Sequence, residues 1–113
     1  MTGTRNLPER YFPQVEAALA LFPDHTVLIQ GKAKGVDTFA GNYGLKRGWE
    51  VLAFPANWSL GKAAGMLRND QMLREGRPTF FLAFHTDPLL GRGTRDMVMR
   101  LNSAKVPGYV WVF

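Results

Sequence analysis

The chain has 113 residues, of which 46% are hydrophobic and 20% charged, enough for one globular domain (residues 1–113) with a modest core. It has no cysteine, no long uncharged apolar run and no continuous apolar leader, which excludes disulfide and thiolate chemistry and a membrane helix, so no membrane partner and a cytoplasmic location are expected. The formal net charge of +5 favours anionic partners, but the Lys and Arg residues are dispersed, so one phosphate site explains the excess as well as a nucleic acid would.

In chain order, Gly3, Thr4, Arg5 and Asn6 read as a loop at the end of a strand, with hardly any strand ahead of Gly3. Pro13 suits a first helical turn, and Val15, Ala18, Leu19 and Phe22 form one apolar helical face before Pro23-Asp24 ends it. Thr26 to Gln30 reads as a strand apolar enough to be buried on both faces. Gly31 and Gly35 then open a helix with Val36, Phe39, Ala40 and Tyr43 on one face and Gly48 as its C-terminal cap. Glu50 to Phe54 is the next strand. A loop over Pro55–Trp58 follows, with Ser59 capping a helix from Leu60 to about Glu75 that Gly76 and Pro78 stop. Thr79 to Phe84 is the most continuously apolar strand and is expected at the centre. His85 to Gly93 reads as a loop, Thr94 to Ser103 as a helix facing the core through Met97, Val98 and Leu101, and Tyr109 to Phe113 as the last strand. This alternation predicts a three-layer α/β sandwich on a mostly parallel sheet of four to five strands, the first truncated.

Candidate site residues cluster where strands hand over to helices, the places at which backbone amides and helix N-termini collect anions. Gly31, Lys32, Ala33 and Gly35 form either a phosphate cradle or a tight turn with solvated lysines. Asp37 either stabilises a helix N-terminus or bonds a ribose or base. Gly61, Gly65, Arg68, Asn69 and Met72 lie at i, i+4, i+7, i+8 and i+11 and so share one face of the Leu60 helix, leaving room for close helix packing or for a ligand beside Arg68 and Asn69. Lys62 lies near that helix's start. Asn57 and Trp58 precede it, the indole being placed to stack on a base or to pack under the loop. Gly91, Arg92, Gly93 and Thr94 form a third amide nest, with Asp96 beside it. His85 ends a strand and is placed to reach the same crevice, but with no identified partner it reads as structural or solvated; His25 starts a strand on the opposite edge and is set aside.

No Ser-His-Asp spacing, metal-ligand cluster or Walker motif is present, so no cofactor is identified; Mg²⁺ would enter only with a polyphosphate ligand. The residues support binding of a phosphorylated, nucleotide-like small molecule better than they support any reaction.

The ordered set GKAKGVDTFA, RGWEVLAFPANW, GKAAGMLRNDQML and GRGTRDM resembles the SLOG superfamily of Rossmann-like proteins, in particular its YspA/YpsA-related branch, over nearly the whole chain. The resemblance implies a nucleotide-derived ligand held by Gly3-Thr4-Arg5, by Gly31 to Asp37, by Lys62 with Arg68 and Asn69, and by Gly91 to Thr94. It also implies a sensor or sequestering module that self-associates, so a homo-oligomer is expected. The lonely-guy phosphoribohydrolases are wider relatives, which cleave the N-glycosidic bond of nucleoside monophosphates. By that comparison Arg68 and Asp96 would be the catalytic residues, although that family's glutamate corresponds to Met97 here. DNA-binding DprA is another relative, and a nucleic-acid partner ranks behind a small ligand.

Overall fold

In the computed structural model, which describes residues 1–113, the chain forms five strands and four helices in alternation. The strands are β1 (Thr2–Gly3), β2 (Val27–Gln30), β3 (Glu50–Ala53), β4 (Phe81–His85) and β5 (Gly108–Val112). The helices are α1 (Phe12–Leu19), α2 (Val36–Lys46), α3 (Ala64–Gly76) and α4 (Gly91–Ser103). All strand pairs are parallel: β1 with β4, β4 with β5, and β2 with β3. Two apolar clusters, one per face, make this a Rossmann-like layered fold. Val15, Leu19, Val36 and Ala40 of α1 and α2 pack with Leu28 and Phe84 on one face. Met72 of α3 and Met97, Val98 and Leu101 of α4 pack with Phe81 and Ala83 on the other. The alternation of Phe81 and Ala83 against Phe84 along β4 is the period-two pattern of a strand buried on both sides.

The sheet is parted in the middle. β1 is two residues long and reaches β2 only through the Met1 ammonium, which donates to the Ile29 carbonyl at 3.0 Å. Ahead of Met1 lies a slot of about 560 Å³ between Thr26–Ile29 on one side and Thr79–Leu82 on the other. This explains why Val27 is exposed and Ile29 only half-buried, where the apolar run predicted burial on both faces of β2.

Three local expectations are corrected. The helix expected from Leu60 starts at Ala64; Trp58–Ala63 is a 3₁₀ segment broken at Gly61, whose φ of 79° no helix continues through. Gly61 and Lys62 therefore do not share a helical face with Gly65, Arg68 and Asn69. The cap of the 3₁₀ segment is Asn57, whose side chain accepts from the Ser59 N–H at 3.2 Å, rather than Ser59. Gly91, Arg92 and Gly93 open α4 rather than lying in the loop, with Leu90 and Gly91 both at positive φ (67° and 64°) where the helix begins. The Gly48 cap stands, with φ at 75° just past α2. No helix is long and apolar enough to cross a membrane.

Candidate functional site

Four strand-to-helix connections, the third containing the 3₁₀ segment, meet at the C-terminal ends of the strands, around a cavity of about 500 Å³. Its walls include Gly3, Thr4 and Arg5 after β1, Ala33 and Asp37 after β2, Trp58 and Lys62, Gly65, Arg68 and Asn69 on α3, and Gly91 to Thr94 on α4. Of the sequence-predicted residues, Gly31, Lys32, Gly35, Asn57 and Asp96 do not line it. Thr2, Asn6, Met66, Leu90 and His85 also line it, and, His85 apart, the sequence does not point to them as ligand contacts. His85 carried a legible signal, since it ends the central strand beside the GRGT segment.

The glycine turn after β2 supports the wall from behind. Gly35 has φ of 76° and packs so tightly on the Thr4–Arg5 backbone that a Cβ would overlap it. This contact lets Val36 N–H donate to Thr4 O at 3.0 Å, locking the β1 loop to the start of α2. Gly31 leaves room for the Arg68 guanidinium, which donates to the Gly31 carbonyl and, at 3.4 Å, to the Phe54 carbonyl. Asp37 closes the same turn: one carboxylate oxygen accepts from Gly31 N–H at 3.0 Å and Ala33 N–H at 3.3 Å. The other carboxylate oxygen is buried without a hydrogen-bond partner. Burial pushes the Asp37 pKa above the ordinary carboxylate value, against the opposing pull of the Met1 ammonium, the two N–H groups and Arg68.

Arg68 is the cation built most deeply into the site. Burial pulls its pKa below the ordinary arginine value, Asp37 acts to raise it, and Arg5 lowers it as a like charge. Its Nε donates to Asn69 Oδ1 at 3.1 Å, fixing the amide so that Nδ2 donates to Gly93 O at 3.1 Å and to Asp96 Oδ2 at 3.0 Å. Asn69 is 3% exposed and so joins α3 to the first turn of α4. Asp96, the acid named for hydrolysis, is occupied by Asn69 and by an ion pair with Arg100 at 2.8 Å. It has the geometry of a brace between the helices rather than of a reacting group.

The first turn of α4 has no side-chain cap, and Leu90 supplies none. Its N–H groups have no intrahelical acceptors and carry the positive end of the helix dipole, and Gly91 and Gly93 keep them uncovered. Arg5, Lys62, Arg68 and Arg92 add positive charge around the cavity, against the single carboxylate of Asp37. The Arg5 guanidinium lies 5.2 Å from the Trp58 ring centroid, and the indole, 57% exposed, stands at the rim rather than under the loop. His85 accepts the Asp87 N–H at Nδ1 (3.0 Å), which places the proton of the neutral ring on Nε2, on the side of Gly91. Burial lowers the His85 pKa, with Asp87 opposing. No group of His, Asp or Glu has the clustering that would hold a metal ion.

No curated protein and no solved structure matches the chain. The model of the YspA, cpYpsA-related SLOG family matches residues 6–61, which run from the loop after β1 through α1, β2, α2 and β3 into the 3₁₀ segment. Asn6, Ala33, Asp37 and Trp58 of the cavity wall fall inside that span, while Arg68, Asn69 and the α4 turn lie beyond it. This match and the Rossmann-like architecture support a place for the chain in the YspA-related branch of the SLOG family.

Proposed function

We propose that the protein binds a nucleotide or nucleotide-derived phosphorylated ligand in the cavity at the C-terminal ends of the strands, as a sensor or sequestering module. The observation that carries this reading is the pairing of an uncapped helix N-terminus with four cations around one cavity. Free N–H groups of a first helical turn bind a phosphate without needing a dedicated side chain. Arg92 and Lys62 would neutralise its outer oxygens. Arg68, held by two carbonyls, acts as a fixed charge behind them. The Trp58 indole, steadied by Arg5, offers a flat apolar face to a base or sugar, and about 500 Å³ suits a molecule of nucleotide size. A hydrolytic reading has less support, because Asp96 is committed to Arg100 and Asn69 and the remaining carboxylate, Asp37, already holds a backbone turn.

The test is isothermal titration with AMP, ADP, ADP-ribose and NAD, with chromatography of the same samples for released base. Binding of at least one compound, weakened tenfold or more by Arg92→Ala or Lys62→Ala in a protein of unchanged melting temperature, supports the reading. Release of free base moves the answer to a hydrolase. Absence of binding by every phosphorylated compound sinks it.

A further inference from the structure

We propose that the free edge of β5 is the interface of a two-fold symmetric dimer, the partner being a second copy of this chain. β5 ends the sheet, with β4 on one side and no strand on the other. Phe81 N–H donates to Pro107 O at 3.0 Å and Phe113 N–H donates to His85 O at 2.9 Å, so the odd-numbered residues of this segment bond toward β4. By the alternation of a parallel ladder, the N–H and C=O groups of Gly108, Val110 and Val112 point outward.

The devices that ordinarily protect such an edge are missing. Gly108 to Phe113 contains no charge and no proline, although the chain as a whole carries +5. Its side chains are open on both faces. Tyr109 is 69% and Trp111 49% exposed on one, and Val110 and Val112 are 42% and 41% exposed on the other. The aromatic face extends past the strand through Phe80, whose ring lies 5.8 Å from that of Tyr109, and through Tyr11 stacked on Phe113 at 4.2 Å. An apolar edge strand with unpaired backbone groups is a template for another strand.

A second copy fits that template in one arrangement. Two-fold symmetry pairs identical strands antiparallel. With the axis at Val110, that residue faces itself, and Gly108 faces Val112 of the partner subunit. Because these are the residues whose backbone groups point outward, the pairing forms about six backbone hydrogen bonds. Tyr109 and Trp111 then meet across the junction as non-hydrogen-bonded pairs, the closer type, continuing the aromatic stripe from one subunit to the other. The result is one continuous sheet with the two cavities left open.

The decisive experiment is sedimentation equilibrium of the whole protein and of two variants across a tenfold dilution series. Val110→Pro deletes an outward N–H without touching the β4 ladder. Trp111→Lys sets positive charges beside Tyr109 of each partner strand. The wild type is expected at the mass of two chains, and both variants at the mass of one. Circular dichroism reports whether they are folded, and Trp111→Lys gives the answer if Val110→Pro does not fold. A wild-type monomer at every concentration overturns the proposal, as does a dimer that persists in folded Trp111→Lys.

Discussion

The Asn69 amide on α3 donates to the Gly93 carbonyl on α4 at 3.1 Å, and so fixes the helix bearing Arg68 to the turn that opens on the cavity. A buried amide with its bonds made adds modestly to stability; with the amide removed its partners are left unpaired. Asn69→Ala is therefore expected to lower stability by about 2 kcal/mol in urea unfolding and to weaken phosphate-ligand binding along with it. Asn69→Asp is expected to cost more, since it sets a carboxylate against Asp96 Oδ2, which now lies 3.0 Å from the Asn69 amide nitrogen.

Asp96 separates binding from hydrolysis. As a brace with Arg100, its replacement in Asp96→Asn should lower stability by about 1 kcal/mol. Nucleotide affinity measured by titration should stay within about threefold of the wild type, because the group does not line the cavity. A loss of affinity of a hundredfold, at unchanged stability, would return Asp96 to the site.

How far the sequence carries can be judged from these same residues. The 3.6-residue period marked Val15 with Leu19, and Met97 with Val98 and Leu101, because that period directly records which face is buried. The Gly31–Gly35 turn was equally plain, since its glycines answer to steric demands that few other residues meet. Gly61 misled because a glycine fits a helix and breaks one alike, and only its φ of 79° decides. Asn57 and Ser59 are both good caps two residues apart, and local sequence does not choose between them. The commitment of Asp96 had a visible half, Arg100 four residues on, and a hidden half, Asn69, which only the packing of α3 on α4 brings near.

The Asp37 carboxyl sets a pH dependence with a definite sign. Its folded pKa is raised by burial above the ordinary value of 3.8, so between these two values the folded state binds more protons than the unfolded one. Stability must then fall as pH rises from about 4 through the folded pKa. Asp37→Asn retains an acceptor for Gly31 and Ala33 and cannot ionise. Its stability, followed by urea unfolding at successive pH values, should lack that decline.

His85 should couple anion binding to protons. Its folded pKa lies below the ordinary 6.5, so the stability it contributes is present above 6.5 and lost as pH falls through the folded value. An anion at the first turn of α4 favours the charged ring and raises that pKa. Sulfate, which does not itself titrate in this range, should bind about threefold or more tightly near pH 5.5 than near pH 8. In His85→Gln the slope should vanish while binding at the higher pH remains.

The slot beside β1 makes the most direct claim on stability. Ile29 O already accepts from Met1 N–H, so the ladder alternation turns the N–H of Ile29 on β2 and that of Leu82 on β4 toward the slot. The Met1 ammonium is buried there, and burial holds its pKa below the ordinary 8.0. Two residues placed ahead of Met1 in extended form would bond to both edges in turn, one to β2 and the next to β4. Fusing Val-Val-Leu-Val to Met1 should therefore raise stability by about 3 kcal/mol or more, from paired ladder groups, buried apolar side chains and removal of the buried charge. Fusing Asp-Gly-Lys-Gly should not, because it brings charge and flexibility to an apolar slot. If both fusions melt at the temperature of the unmodified chain, β2 and β4 close on each other in solution and the slot is not a strand site.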